Sequence, residues 1–511
     1  MSVLFPVKTT WRDIHAAVQP FLLESRMADD AIEATLNTLR ELFFRSRAAV
    51  FVAVKDGTLA AFVPFANTQY TNTWGPRAVL QGPRGPVPFA DVAVYAAEKA
   101  VATRRPLESM LPVDKWWTNG SVVCNVMPPD GWGQGFLAEL HDMLTAALED
   151  DSTAKSTACF FLNKRDYPLL RRDGADAAAD FVGRDAGDAR RGAGCHHAPV
   201  FSWYVGSRFR DVAMPVVDDW TCDAVAWAAL RERCPLACRP AVAVFRGAAT
   251  GPLEVARNPR ARAVATAAEV TPTAADLDIR LTGWNLGRDR VALNAAGCPE
   301  VRFGTTVRTI RGRPLPALAP FESLMAQASR ARFLVYIDGH CAASRFGTLM
   351  HSGAVILRVL SEQADTCGDT WIFQQPDVCG VPAGGVADPA LLARADHITV
   401  ASAEDLPAAV AWAAALPITI LEGISTNAAA RAPTRSSIAR WWGATICGLG
   451  RQQQRLATTA DGTAGTAGTA GTAGTAGTAG TAVPWFTPRD PRYAALDVAR
   501  DAARDAARDR P

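Results

Sequence analysis

Apolar and polar positions along the chain follow two regimes that change near residue 236. In the first, residues 10–46 carry two helical repeats, the second written IEATLNTLRELFF. AVFVAVKDGTLAAFVPF (49–65) then alternates and turns at Asp56-Gly57, a hairpin signal. WGQGFLAELHDMLTAALED (132–150) sets Phe136, Leu140, Met143, Leu144 and Leu148 on one face, which predicts an amphipathic helix. ACFFLN (158–163) reads as a short buried strand that runs straight into KRDYP (164–168). The polar stretch at 171–197 has no apolar period and reads as a surface insertion.

From about 236 strands and helices alternate. PAVAVF (240–245) and LDIRLTGW (277–284) read as strands with a helix over 254–268 between them. FESLMAQASRA (321–331) reads as a helix. VYIDGHCAASRFGTLMHSGAVILRV (335–359) is a strand, a turn, a short helix and a second strand. HITVA (397–401) and DLPAAVAWAAAL (405–416) add another strand and helix. This spacing predicts α/β architecture with parallel sheets covered on both faces. The division follows as an α/β domain over 1–235, a second over 236–450, and a tail over 451–511. In that tail residues 462–482 repeat Gly-Thr-Ala seven times, a composition that cannot bury enough surface to order itself.

Composition changes this picture little. With 49% hydrophobic and 20% charged residues the chain is ordinary for a globular protein, and 511 residues suffice for two cores. A formal charge of +2 supplies no electrostatic case for nucleic acid or a membrane surface. The first residues lack a charged segment followed by an apolar one and do not read as a signal peptide. PAAVAWAAALPITIL (407–421) carries two prolines and is short for a membrane span, so a buried helix followed by a strand is expected. Eleven cysteines without a CxxC pair point to reduced thiols in a cytoplasmic compartment rather than a zinc site.

Three stretches carry candidate chemistry. In 335–359 a strand ends at Asp338-Gly339, and Arg345, after Ser344, sits one turn into the helix that follows. Such a turn favours phosphate, an arginine adds a bidentate contact, and Gly353 suits a left-handed helix end. VAVFRGAATG (242–251) delivers Arg246-Gly247 at another strand end, where Arg246 either lines the same crevice or pairs with a carboxylate at the sheet edge. In FFLNKRDYPLL (160–170) Asp166 follows a buried strand, and Lys164 and Arg165 would keep it ionised. That suits a general base, although charged turns are also common as plain surface.

Taken in order, FLNKRDYP, PVFSWYVGSRFRDVAMPVVDDW (199–220), AVFRGAATG, YIDGHCAASRFGTLMHSGAVIL and DHITVASAEDLPAAVAWA (396–413) resemble the successive motifs of glycosyltransferase family 90. That is the CAP10-like, KDEL-motif protein O-glucosyltransferase group, and the resemblance covers roughly 115–445, closer to copies in large DNA viruses than to animal enzymes. It implies a GT-B fold, two Rossmann-like domains facing across a cleft, and inverting transfer of glucose or xylose from a UDP-sugar without metal or other cofactor. Asp166 matches the family's base, Arg246 and Arg345 match its diphosphate contacts, and Gly247, Gly339 and Ser344 flank them. Ser202 and Asp211 fall in the segment lining the cleft.

The acceptor would be a hydroxyl of a glycan or protein, with Trp116 and Trp117 either stacking on it or serving as core. The absent signal peptide and ER-retention tail point away from folded secreted acceptors and toward the cytoplasm, of a host cell for a viral protein. Asp276-Leu277-Asp278 formally makes a DxD metal signature, but it lies inside a strand pattern. The alternative is a catalytically idle scaffold that binds nucleotide or glycan. A nucleotide-sugar epimerase or dehydrogenase is disfavoured, since no GxGxxG follows a strand near the N-terminus.

Overall fold

The computed structural model describes residues 11–25, 27, 29–43, 48–66, 79–82, 85–88, 134–149, 156–163, 167–170, 198–251, 257–270, 277–286, 291–293, 299–301, 309–310, 313–360, 362, 367–384 and 388–463. The chain divides into a compact unit, Met1–Thr458, and a second, Thr459–Pro511. Lys115, Trp116, Trp117, Asp166, Asp276, the polar stretch 171–197 and the repeats from 464 onward lie outside the described residues.

The first helices, α1 (Trp11–Glu24) and α2 (Asp29–Glu41), form on the apolar repeat seen in the sequence. Ile14, Val18 and Leu22 recur every four residues and all three are buried. The hairpin of β1 (Ala48–Lys55) and β2 (Thr58–Ala66) turns at Asp56 and Gly57, which both have positive φ (48° and 73°). Next come α3 (Gln134–Leu148), β3 (Ala158–Leu162), β4 (Val200–Ser202), β5 (Tyr204–Val205) and β6 (Val212–Ala213).

The first sheet has the order β2-β1-β3-β4-β6. It is mixed, antiparallel through β2, β1 and β3 and parallel through β3, β4 and β6. The hairpin expected over 49–65 supplies part of its antiparallel half, because a two-residue turn can only return the chain antiparallel. Alternation sorts its side chains into two cores. Phe51, Phe161 and Val63 face α1 and α2, while Val52, Phe160 and Phe62 face Leu140, Met143 and Leu144 of α3.

The chain continues through α4 (Val217–Trp220), α5 (Ala224–Arg233), β7 (Ala243–Gly251), α6 (Pro259–Glu269) and β8 (Leu277–Leu286). It goes on through α7 (Leu324–Ser329), β9 (Phe333–Tyr336), α8 (Phe346–Met350), β10 (Val355–Val359), β11 (Asp369–Thr370), β12 (Gly380–Pro382) and α9 (Pro389–Arg394). The last elements are β13 (His397–Val400), α10 (Leu406–Ala414), α11 (Ile418–Arg431) and α12 (Arg435–Thr463).

The second sheet runs β8-β7-β9-β10-β13-β12 with every pairing parallel. Strands β9 and β10 are apolar on both faces, as a sheet covered on both sides requires. From β7 the chain goes first to β8 on one side and later to β9 on the other, so the strand order reverses between β7 and β9.

One expectation fails in this half. Residues 417–421, read as a strand, open α11, because Pro417 occupies its N-cap. Leu421, Ile424 and Ala428 then recur at helical spacing and are buried. Among the described residues no single helix is long and apolar enough to cross a membrane. Segments 403–414 and 418–431 pass such a test only as a pair bent by 115°, and both bury apolar side chains in the core.

The two sheets share one continuous apolar cluster that includes Phe160 and Phe201 from the first and Val244, Leu334 and Ile356 from the second. Its centre is Trp442 of α12, fully buried and stacked on Phe160 at 5.8 Å. Burial of that side chain contributes about 3 kcal/mol. Gln453, farther along α12, exchanges two hydrogen bonds with the backbone of Cys159 in β3 (3.1 and 2.9 Å). A two-residue ladder between β5 and β11 is a second tie between the sheet regions.

Candidate functional site

Ligands of open α/β sheets bind beyond the carboxyl ends of the strands, where the strand order reverses. Here that place is the crevice beyond β7 and β9. Its walls are Phe245, Arg246 and Gly247 of β7, Asp338 and Gly339 after β9, and the turn that enters α8. The two glycines have a steric role. A Cβ at Gly339 would overlap the Thr250 hydroxyl and lie 3.3 Å from the Arg260 guanidinium carbon. A Cβ at Gly247 would stand 2.9 Å from Arg345 Nη2. Gly353 closes α8 with φ 69°, the left-handed conformation its sequence position suggested.

Arg345 sits at the N-cap of α8 rather than one turn inside it. Since α8 is only five residues long, its dipole offers little to an anion and the arginine side chain carries the charge of the turn. Its Nη1 donates to the carbonyl of Arg246 at 3.0 Å, and the guanidinium lies over the Phe245 ring at 5.1 Å. Among the described residues no carboxylate pairs with it. Burial holds the group below the ordinary arginine value, with Tyr336 and Asp218 opposing. Ser344 is half-buried beside it.

A second cation in the crevice was not singled out in the sequence. Arg260, in the first turn of α6, is 6% exposed and also pairs with no carboxylate among the described residues. Every nitrogen of its guanidinium is held by oxygen. Nη1 donates to Ala248 O (2.8 Å) and Thr250 Oγ1 (2.6 Å), while Nε and Nη2 donate to Ile337 O (3.2 and 3.1 Å). It thereby ties the ends of β7 and β9 together. Burial and then neighbouring Arg345 push its pKa down to about 9, opposed by Asp338, Tyr336 and Tyr204. It therefore stays cationic at neutral pH. Tyr204 of β5 packs with Cys341 and Ala342 in the turn between β9 and α8.

Arg246 is placed differently. Its Nη2 meets Asp278 at 2.6 Å and its Nε stands 3.5 Å from Glu322, and Arg330 binds the same two carboxylates. Of the two roles open to Arg246, pairing with a carboxylate at the sheet is the one its guanidinium performs here. Asp278, the second acid of the formal DxD, is committed to that network. Among the described residues no cluster of His, Cys, Asp and Glu has metal-holding geometry, and the described cysteines are free thiols.

Ser202, which ends β4, and Asp211, just before β6, lie together and hold residues that flank the NKRDYP turn. Asp211, 3% exposed, accepts from the Ser202 hydroxyl (2.6 Å) and from the backbone N–H of Leu169 and Leu170 (both 2.7 Å). Asn163 donates to Ser202 (2.9 Å) and to Tyr167 O (2.7 Å), so the backbone is pinned on both sides of residues 164–166. Burial raises the Asp211 pKa, and those hydrogen bonds restrain the rise. Ser202 and Asp211 are thus buried framework of that turn. The signal for Arg260 was Asn258-Pro259, an N-cap followed by proline at the first helical position. It moves the start of the helix from 254 to 259 and sets Arg260 beside the strand ends.

No family profile matches the chain. It is 26% identical over 373 residues to uncharacterized protein 035R of Invertebrate iridescent virus 3, covering 69% of this chain and 32% of that protein. It is 28% identical over 330 residues to uncharacterized protein 027R of Frog virus 3, covering 60% and 32%. Uncharacterized protein 179R of Invertebrate iridescent virus 6 is 22% identical over 379 residues, covering 64% and 30%. The chain spans about a third of the length of the curated viral relatives it matches.

Proposed function

We propose that the chain is an inverting glycosyltransferase that binds the diphosphate of a UDP-sugar in the crevice and transfers glucose or xylose to a hydroxyl of a glycan or protein. The observation that carries this reading is the pair Arg345 and Arg260, two cations at the switch point of a parallel sheet that pair with no acid among the described residues. Departure of UDP builds negative charge on the diphosphate, and cations already fixed in a low-dielectric wall stabilise that charge without reorganising. Arg345 is the direct contact in this reading, because the nitrogens of Arg260 are already occupied by protein oxygens. Arg260 adds field and holds the strand ends.

Asp166 is the general base of the proposal. The network of Asn163, Ser202 and Asp211 supports it by holding the described chain on either side, at residue 163 and at residues 167–170. The GT-B arrangement belongs to the same proposal, with residues 1–235 on the acceptor side and 236–450 on the donor side. What supports it is the pair of sheets, Tyr204 of β5 packing against Cys341 and Ala342 in the turn between β9 and α8, and α12 returning to the first sheet through Trp442. A viral origin fits the relatives and would put the reaction in a host cell.

A donor panel of UDP-sugars, scored by UDP release and product mass, tests the reading. UDP-glucose or UDP-xylose should turn over, and Asp166→Asn should lower the rate by about a thousandfold while leaving UDP binding intact. Wild-type turnover in that variant would remove Asp166 from the mechanism. The second reading, binding without turnover, is favoured by one observation: Arg246, one of the resemblance's two diphosphate arginines, is already engaged by Asp278 and Glu322. UDP binding with no product from any donor would select it.

A further inference from the structure

Asp219, in α4, is 1% exposed, and among the described residues no ion pair accounts for it. Its Oδ2 accepts the indole N–H of Trp371 at 2.9 Å, while its Oδ1 is buried without a hydrogen-bond partner. That free oxygen presses on the first turn of α8, where a Cβ at Gly347 would overlap it and also crowd Pro433. Gly347 therefore makes room for the carboxyl, and Arg345 stands two residues earlier on the same turn.

The groups around Asp219 leave it without a cationic partner. Exposed Asp218 adjoins it on α4, and the Cys222 thiol follows the helix. Trp371 faces it from the turn after β11. Arg435 of α12 lies over the neighbouring Trp220 ring at 5.1 Å and donates to Trp220 O. From α8, His351 is engaged with Pro433 O at 2.8 Å and Arg345 points to β7. Burial, with no cation among the described residues to relieve it, pushes the Asp219 pKa up to about 8; the Trp371 bond and, more weakly, the Val216 backbone restrain the rise, and Asp218 adds to it.

We propose that Asp219 is a positioning residue for Arg345, seating the α8 turn as a neutral acid and, on losing its proton to solvent, opposing any anion that Arg345 holds. The proposal rests on reading Arg345 as the diphosphate contact and on nothing about the sugar. A glycine that admits a carboxyl against the turn, and an oxygen with no donor to settle it, are what a proton-linked seat requires.

The test is calorimetric titration of the full chain with inorganic pyrophosphate from about pH 6.5 to about pH 9.5, comparing wild type with Asp219→Asn at each pH so that ionisation of the probe cancels. The two should bind alike at the acid end. Toward the alkaline end wild type should weaken about tenfold relative to the variant, the effect of one charge set close to the ligand. Asp218→Asn keeps Asp219 and changes an exposed site. It should move the wild-type break to lower pH, a displacement that a merely structural role for Asp219 does not produce. Parallel profiles for wild type and Asp219→Asn, or a break that Asp218→Asn leaves in place, overturn the proposal while the diphosphate reading stands. Absence of pyrophosphate binding by wild type at every pH removes both.

Discussion

Arg246 and Arg345 are joined by a hydrogen bond, from the side chain of one to the carbonyl of the other, yet the fold treats their charges in opposite ways. Arg246 is met by Asp278 and Glu322 and shares them with Arg330. Arg345, on the other side of the same backbone segment, meets a phenyl ring and carbonyl oxygen and no acid among the described residues. The resemblance assigned the two arginines one role. Their surroundings separate a cation that holds the sheet together from one whose charge is left for a ligand. An anion approaching the crevice gains full attraction from Arg345 and only a residual one from Arg246, whose charge two carboxylates already offset.

The largest effect that tests this contrast is in binding. Arg345→Ala should weaken pyrophosphate or UDP about a hundredfold, the loss of a charge-assisted bidentate contact, while changing the denaturation midpoint little. Arg246→Ala should do the reverse. Its affinity should stay within about threefold of wild type, and stability should fall by about 2 kcal/mol because two partly buried carboxylates lose a partner. Calorimetry and urea denaturation on both variants decide it. A reversed pattern would mean that Arg246 leaves its ion pairs when ligand arrives.

This contrast was not legible in the sequence, although much of its setting was. The hairpin at Asp56-Gly57, the helix over 134–148 and the strand–turn–helix–strand of 335–359 follow from local periodicity and turn chemistry, and those features survive into the fold. The ion pairing of Arg246 depends on Asp278 and Glu322, 32 and 76 positions away, brought near by parallel pairing and by the approach of α7. Arg260 was overlooked for a related reason, since its role comes from where the first turn of α6 lies against two strand ends. Asp219 was not singled out in the sequence, and only packing against Gly347 distinguishes it. The strand expected over 417–421 failed because a short apolar run does not by itself distinguish a strand from a buried helix.

Two carboxyls sharpen the comparison through pH. Burial alone would raise Asp278, but the hydrogen bonds and charges of Arg246 and Arg330 outweigh it and hold the carboxyl below the ordinary range. Its contribution is present above the unfolded carboxylate pKa and is lost as pH falls through the lower folded one. Asp219 has the opposite sign. The folded state keeps its proton up to about 8 whereas the unfolded chain releases it near 3.8, so stability falls as pH rises between those values and levels off above them. Between about pH 7 and about pH 9 wild type should lose about 1 kcal/mol relative to Asp219→Asn, read from denaturant midpoints at each pH. An equal or opposite slope would show that Asp219 is ionised in the fold and has a partner.

The smallest effect probes how complete the compensation of Arg246 is. Arg280 on β8 lies opposite Arg246 in the parallel register, so two like charges stand side by side on one face. Asp278 shares that face two residues earlier on the same strand, which places its carboxylate between them. Its Oδ2 holds Arg246 and Arg330 at 2.6 and 2.8 Å, and its Oδ1 stands 3.3 Å from Arg280, whose side chain is 56% exposed. Three arginines thus face two acids, and Arg280 is the most exposed of the three. Its removal leaves two cations on two carboxylates and relieves the like-charge contact, so Arg280→Ala should change stability by less than about 0.5 kcal/mol by urea denaturation. A loss above about 1 kcal/mol would mean that Arg280 is needed to neutralise Asp278. In that case the network has no positive charge to spare, and the contrast with Arg345 becomes sharper still.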